Sequence, residues 1–363
     1  MKKRLLCFLI LFVFIAGCAG GGETVPQSSS ETPEKSSAVI PEATPEPEPE
    51  GAEKVFGKAD IKITVICEDD EDGSLLFLKG IEHEASQCGL MYDVVYTDDI
   101  RGAADSSGAD AVIILKRTPE DIPAISDGSR VTVIAGPGGG DGGADVCLSA
   151  DVSGAAEELL DYVLVYPNHD TPVRMLGMFT SRMSSLYETY SVFADEGKVF
   201  SKSEYAADED TEDEPSFIES TLKDWYPGMI DALITDSGSM AADVLKALNE
   251  SGRDDFEIFL TGITPEALAY MHEQGNLMAA LSGINEAEMG RMAFISAVKL
   301  LAGEETVKDL KATPVLLKAE DMDGEDMFDC LLKGELDESF ESEALNYLKE
   351  YHLGQEANEQ AGQ

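Results

Sequence analysis

The chain has 363 residues and carries 26 Lys and Arg against 71 Asp and Glu, a formal net charge of −45. So acidic a chain repels nucleic acid and anionic lipid headgroups, which excludes both as partners, and it favours solubility. Residues 58–353 provide enough chain for two lobes of ordinary domain size, each with its own core.

Met1-Lys2-Lys3-Arg4 precedes an unbroken apolar run from Leu5 to Ala16, the order of a secretory signal. The run is too short for a spanning helix, which needs roughly 20 apolar residues. At its end, Ile15-Ala16-Gly17-Cys18 resembles the lipobox of bacterial lipoproteins. That resemblance implies removal of residues 1–17 and lipidation of Cys18 with a diacylglycerol. The chain would then be held on the extracytoplasmic face of the cell membrane by a lipid anchor alone, since two or three acyl chains bind stably where one does not. Residues 18–57 follow as a stalk of Gly, Ser, Pro and Glu, ending in Pro45-Glu46-Pro47-Glu48-Pro49-Glu50. Such a composition cannot offset the entropy of ordering, and its prolines and like charges keep it extended.

Beyond the stalk, short Val/Ile-rich runs alternate with stretches whose apolar residues recur at three and four, a βαβ rhythm. Ile61–Ile66 predicts a buried strand. Ser74–Cys88 predicts a helix with Leu75, Leu78, Ile81 and Ala85 on one face and Gly89 at its end, and Met91–Tyr96 predicts the next strand. Ala111–Leu115, Val131–Ala135 and Val146–Leu148 are too continuously apolar for half-exposed strands and predict a parallel sheet covered on both faces. Further strands are predicted at Val173–Phe179, Lys198–Ser203, Asp231–Thr235, Phe256–Leu260 and Leu277–Leu281, with helices between them. The acidic stretch Ala206–Pro215 predicts a solvated loop or helix entry and not a site. Glu286–Gly303 predicts an amphipathic helix whose methionines belong to a core. The fold class is α/β, and ligands of such sheets bind beyond the carboxyl ends of the strands.

Setting aside Cys7 and Cys18, four cysteines remain, Cys67, Cys88, Cys147 and Cys330, and their pairing is open, with buried free thiols as compatible as a bridge. No His/Cys cluster has zinc spacing, no acidic run has the spacing of an EF-hand loop, and no Ser/His/Asp or Cys/His arrangement is present. His83, His169, His272 and His352 read as satisfied or solvated. The reading is therefore a binding protein with no cofactor and no metal. The glycine run Gly136–Gly143 lacks the Lys-Ser/Thr of a phosphate-binding loop and reads as a loop at the rim of a cleft.

Four stretches together resemble the type I periplasmic binding proteins, receptors that feed ABC transporters. They are Phe77-Leu78-Lys79-Gly80-Ile81-Glu82-His83-Glu84-Ala85; Asp231–Leu248; Thr264-Pro265-Glu266-Ala267-Leu268; and Glu288-Met289-Gly290-Arg291-Met292-Ala293. The resemblance implies two Rossmann-like lobes with parallel sheets, joined by a three-crossover hinge near Ser149–Asp151, Ser282–Asn285 and Lys311–Pro314. One lobe would hold 58–149 and 284–312 and the other 150–283 and 313–353, leaving 354–363 as a disordered tail. It also implies a monomer that closes on a small polar solute, a sugar or related compound, and presents it to an ABC transporter permease.

The family's sugar contacts are replaced here. Ser237-Gly238 stands where an Asn-Asp pair is usual, and Leu260-Thr261-Gly262 where Gly-Phe-Asp is usual. Gly136-Pro137-Gly138-Gly139-Gly140-Asp141 stands for an Asp-Arg pair, and Ser282 or Gly283 for a final Gln. The expected ligand-binding residues are then Asp70, Asp72, Asp151, Arg182, Tyr187, Asp236, Ser237, Thr261 and Asn285, whose carboxylates, hydroxyls and cation suit polar groups. A sensor or interaction lipoprotein with a degenerate cleft is the alternative, and an exported hydrolase the third reading.

Overall fold

The computed structural model of the protein describes Phe56 and residues 61–68, 70–117, 125, 128–136, 143–167, 172–208, 213–274, 276–322 and 326–361, with side chains to 355. Residues 1–17, Cys18, the stalk apart from Phe56, Asp69, Pro137–Gly142, His169 and the centre of the acidic stretch lie outside the described residues.

The chain opens with β1 (Ile63–Cys67), α1 (Glu71–Cys88), β2 (Tyr92–Tyr96), α2 (Ile100–Ser107), β3 (Ala111–Leu115), β4 (Val131–Gly136) and β5 (Val146–Ala150). It continues through α3 (Ala155–Val165), β6 (Val173–Phe179), α4 (Ser185–Asp195), β7 (Val199–Ala206), α5 (Glu214–Asp224), β8 (Ala232–Thr235), α6 (Gly238–Ser251), β9 (Glu257–Thr261) and α7 (Pro265–Glu273). The last elements are β10 (Met278–Ile284), α8 (Glu286–Leu301), β11 (Asp309–Ala312), β12 (Pro314–Lys318), α9 (Asp329–Leu332) and α10 (Glu343–Ala361).

The strands form two six-stranded sheets, ordered β11-β5-β4-β3-β1-β2 and β12-β10-β9-β8-β6-β7. Every pairing is parallel except that of β10 with β12. Sequence pattern explains the order. Ile63–Cys67 and Ala111–Leu115 are buried at every position, as interior strands covered on both faces must be. Tyr92–Tyr96 alternates between half-buried and exposed, which suits an edge. The chain crosses between lobes where β5 leads to α3, where β10 leads to α8, and where β11 leads to β12.

Helices α1 and α8 bind the first lobe together at unusually short range. A Cβ on Gly80 would lie 1.8 Å from the Ala287 carbonyl oxygen, and one on Gly290 would lie 2.0 Å from that of Phe77. Only glycines allow this approach, and it buries Phe77 and Ile81 completely. At the same interface Glu84 is buried, held by Arg291 Nε at 2.9 Å and Lys349 Nζ at 3.1 Å. Burial pushes its pKa up, but the hydrogen bonds and charges of Arg291 and Lys349 outweigh burial and hold the carboxyl below its ordinary value.

Four sequence expectations need correction. The buried stripe of α1 is Leu76, Phe77, Gly80, Ile81, Glu84, Ala85 and Cys88, and Leu75 and Leu78 are only partly buried. The helix packs on its own sheet, on α8, and through Leu76 on the core of the second lobe, so one stripe cannot describe it. Second, the C-terminal region does not stay in the second lobe. Phe328 and Leu331 pack there, but Leu336, Phe340, Ala344, Leu345 and Leu348 join the core of the first, giving a fourth crossing. The Lys349 to Glu84 contact secures it. Third, α10 continues to Ala361, through residues expected to be disordered. Fourth, Phe56, expected in the stalk, is half-buried against the first-lobe core.

Candidate functional site

Both sheets point the carboxyl ends of their strands at a shared cleft. In the first lobe β3 lies on the opposite side of β1 from β2, so the chain reverses its winding between β1 and β3, and the crevice beyond such a reversal is where α/β sheets take ligands. Lys116 and Arg117 follow β3 directly at that point. The Lys116 amide donates to Ala135 O at 2.8 Å, prolonging the ladder with β4. Arg117 donates through its backbone amide to Glu68 Oε2 at 2.6 Å.

A cavity of about 420 Å³ opens here, lined from the first lobe by Lys116, Arg117 and Glu286 and from the second by Thr261, Thr264 and Ser282, with the crossover residue Ile284 between them. This volume is in the range of small-molecule sites. Apolar walls are added by Leu115, Val152, Ile263 and Met289. Helix starts ring the cavity: Ala155 and Ala156 open α3, Ser185 opens α4, Thr264 caps α7 by accepting from the Ala267 amide at 3.2 Å, and Glu286 opens α8.

The charged groups on the wall differ in their satisfaction. Arg117 is committed: Nη1 and Nη2 donate to Glu286 Oε1 and Oε2 at 2.5 and 2.9 Å, and Nη2 also reaches Gly73 O. This two-pronged pair fixes the loop after β3 to the start of α8. Lys116 is 7% exposed, and its ammonium has no hydrogen-bond or ion-pair partner among the described residues. Ser282 is fully buried, and its hydroxyl is likewise without a partner.

Of the residues expected from sequence to bind ligand, Thr261 lines the cavity. The others do not line it, and most of them have structural partners elsewhere. Asp70 caps α1 by accepting from the Gly73 amide at 2.9 Å, and Asp72 is exposed in the first turn of that helix. Asp151 lies beside the lining residues Ala150 and Val152 but turns to its own loop. The Ser153 hydroxyl and amide, with Lys311 at 3.5 Å, hold its carboxyl below the ordinary range.

Arg182 Nη1 donates to Tyr187 Oη at 2.9 Å and lies over that ring, and Tyr187 packs edge-on against Phe179. Asp236 accepts from the Thr180 amide at 2.7 Å, and Ser237 caps α6. Those four sit past β6 and β8, where the second sheet reverses its own winding. Asn285 caps α8 and donates to Leu331 O at 2.8 Å, tying down the segment that leads to the fourth crossing.

Sequence reasoning missed Lys116, Arg117 and Glu286 as site residues. A signal was present: two consecutive cations directly after a buried strand are conspicuous in a chain of such acidity.

No protein-family model matches the chain, and no curated protein matches it. Solved structures do. An ABC transporter solute-binding protein from Bradyrhizobium sp. BTAi1, with bound bis-tris, is 16% identical over 78% of this chain and 90% of that one, with a TM-score of 0.59. The chain has the type I periplasmic binding protein fold. A sugar ABC transporter protein from Yersinia enterocolitica shares this architecture at TM-score 0.53 and 16% identity over 85% of this chain and 99% of that one. So does a 5-methylthioribose transporter solute-binding protein from Thermotoga lettingae, in complex with 5-methylthioribose, at TM-score 0.53 and 15% identity over 80% and 97%. The type I fold places the 420 Å³ cavity between its two lobes, at the crossovers.

Proposed function

We propose that this protein is a solute receptor on the outer face of a bacterial cell membrane, held by lipid on Cys18, that captures a small polar compound between its lobes and delivers it to an ABC transporter. The observation that carries the reading is the interlobe cavity, built at the strand ends of both sheets and bordered by residues of two crossovers. A ligand there touches both lobes at once, so its binding energy favours the closed arrangement over the open one. The neighbours named as transporter solute-binding proteins support solute capture. The Cys18 anchor rests on the lipobox resemblance.

Thermal unfolding with a panel of sugars, nucleosides, amino acids and polyamines tests the receptor. A solute at 100 times its dissociation constant stabilises by about 2.7 kcal/mol, a shift of several degrees. Silence across all classes from a folded protein would count against it. For the anchor, Cys18→Ala abolishes incorporation of labelled fatty acid and releases the protein from membranes. Retained labelling would contradict it. The replacement of the family's sugar contacts, with Ser237 taken by the α6 cap and one oxygen of Asp236 by the Thr180 amide, favours a ligand other than a plain monosaccharide. It also supports the second reading, a sensor, which binds a receptor partner in place of a permease.

A further inference from the structure

The cavity has a charge preference of its own. Arg117 and Glu286 cancel each other through two hydrogen bonds. That leaves Lys116 as the uncompensated charge among the described lining residues: the residue is 7% exposed, no acceptor among the described residues takes its ammonium, and that nitrogen is not among the fully buried atoms, so it keeps access to solvent. Such an ammonium is partly desolvated by the residue's burial and has no protein partner among the described residues, so an anionic ligand in the cavity can supply the missing charge. Across the cavity the start of α3 adds to the field. Its N-cap is Gly154, no side chain caps it, and Ala155 and Ala156 of its first turn line the space. An uncapped helix start presents backbone N–H donors and partial positive charge, both suited to an anion. Glu157 and Glu158 of that turn are exposed to solvent, where their charge is screened. Thr261, only partly buried on the cavity wall, supplies a hydroxyl for neutral hydroxyls.

Resting on the receptor reading above, we propose that the ligand is an anionic polyol, a sugar-like compound bearing a carboxylate or a phosphate, whose anionic group pairs with Lys116 opposite the start of α3. This reverses the sign expected from composition, since a chain of net charge −45 repels anions at long range. The anion is selected inside the cavity, where low dielectric strengthens a single pair, and not by the surface field.

Titration calorimetry on the full chain in detergent tests the proposal with four probes: D-glucuronate and D-ribose 5-phosphate, against their neutral counterparts D-glucose and D-ribose. The expected result is binding by at least one anionic probe and weaker or absent binding by its neutral partner, and the responding probe separates carboxylate from phosphate. Lys116→Met should weaken the anionic probe about 10- to 100-fold, the range for losing a hydrogen bond to a charged group, and Lys116→Arg should recover part of the loss. Thermal unfolding of both variants establishes that they fold. If neutral probes bind wild type as tightly as anionic ones and Lys116→Met leaves affinity unchanged, the charge proposal is overturned while the receptor stands. If none of the four binds and a member of the wider panel of sugars, nucleosides, amino acids and polyamines does, the proposal falls alone; if nothing binds at all, both fall.

Discussion

Glu84 and Lys116 are both buried in the first lobe, and they are treated in opposite ways. Glu84 has two cations within 3.1 Å and sits where α1, α8 and α10 meet. Lys116 lines a cavity, and its charge meets no acceptor among the described residues. A satisfied buried ion is part of the scaffold, whereas an unsatisfied one beside an open space is part of a binding site, because the fold alone gives it nothing in return.

The largest effect expected on the scaffold side comes from removing Glu84. Glu84→Ala leaves Arg291 and Lys349 facing a low-dielectric interface and should cost about 3–5 kcal/mol, read as a fall in the midpoint of denaturant unfolding. The same site gives a pH dependence. Because the folded carboxyl is held below its ordinary value, its stabilisation is complete above about pH 4.5 and is lost as pH falls through the folded pKa. The stability gap between wild type and Glu84→Gln should therefore be constant at neutral pH and narrow in acid. A gap that widens in acid would remove Glu84 from the scaffold role.

Gly290→Ala comes next. Its Cβ would meet the Phe77 carbonyl oxygen at 2.0 Å, so α1 and α8 must separate, at a cost of about 3 kcal/mol despite the better helix propensity of alanine. Asn285→Ala removes the α8 cap and strands Leu331 O without its donor. About 1–2 kcal/mol is expected, seen in thermal unfolding. The smallest effect is chemical. No disulfide joins any of the four described cysteines, and burial pushes Cys88 up to about 11, so native labelling with a thiol reagent should reach the half-buried Cys147 and Cys330 before the buried Cys67 and Cys88.

Much of the fold was legible because its signals are local. Strand runs such as Ala111–Leu115 are apolar throughout only when both faces are covered, and Gly89 ends α1 in the left-handed conformation the sequence suggested. The C-terminal region was not legible, since its placement depends on a contact between Lys349 and Glu84, 265 residues apart. The candidate site was harder still. Asp70, Ser237 and Asn285 have the chemistry of ligand contacts and of helix caps alike, and in each case the cap takes the side chain. Thr261 alone of the expected residues reaches the cavity; Lys116 carries only the weak signal of a cation beside Arg117 after a buried strand, and Glu286 none, so both become informative chiefly through burial and pairing.

The most direct test of the contrast is the unfolding temperature of Lys116→Met without any solute present. Methionine fills a similar volume and removes the unpartnered charge, so the account predicts that the empty variant melts above wild type, by about 2 °C for each kcal/mol of burial cost relieved. A fall in melting temperature would mean that Lys116 serves the fold as Glu84 does, and would contradict the assignment of its charge to a ligand.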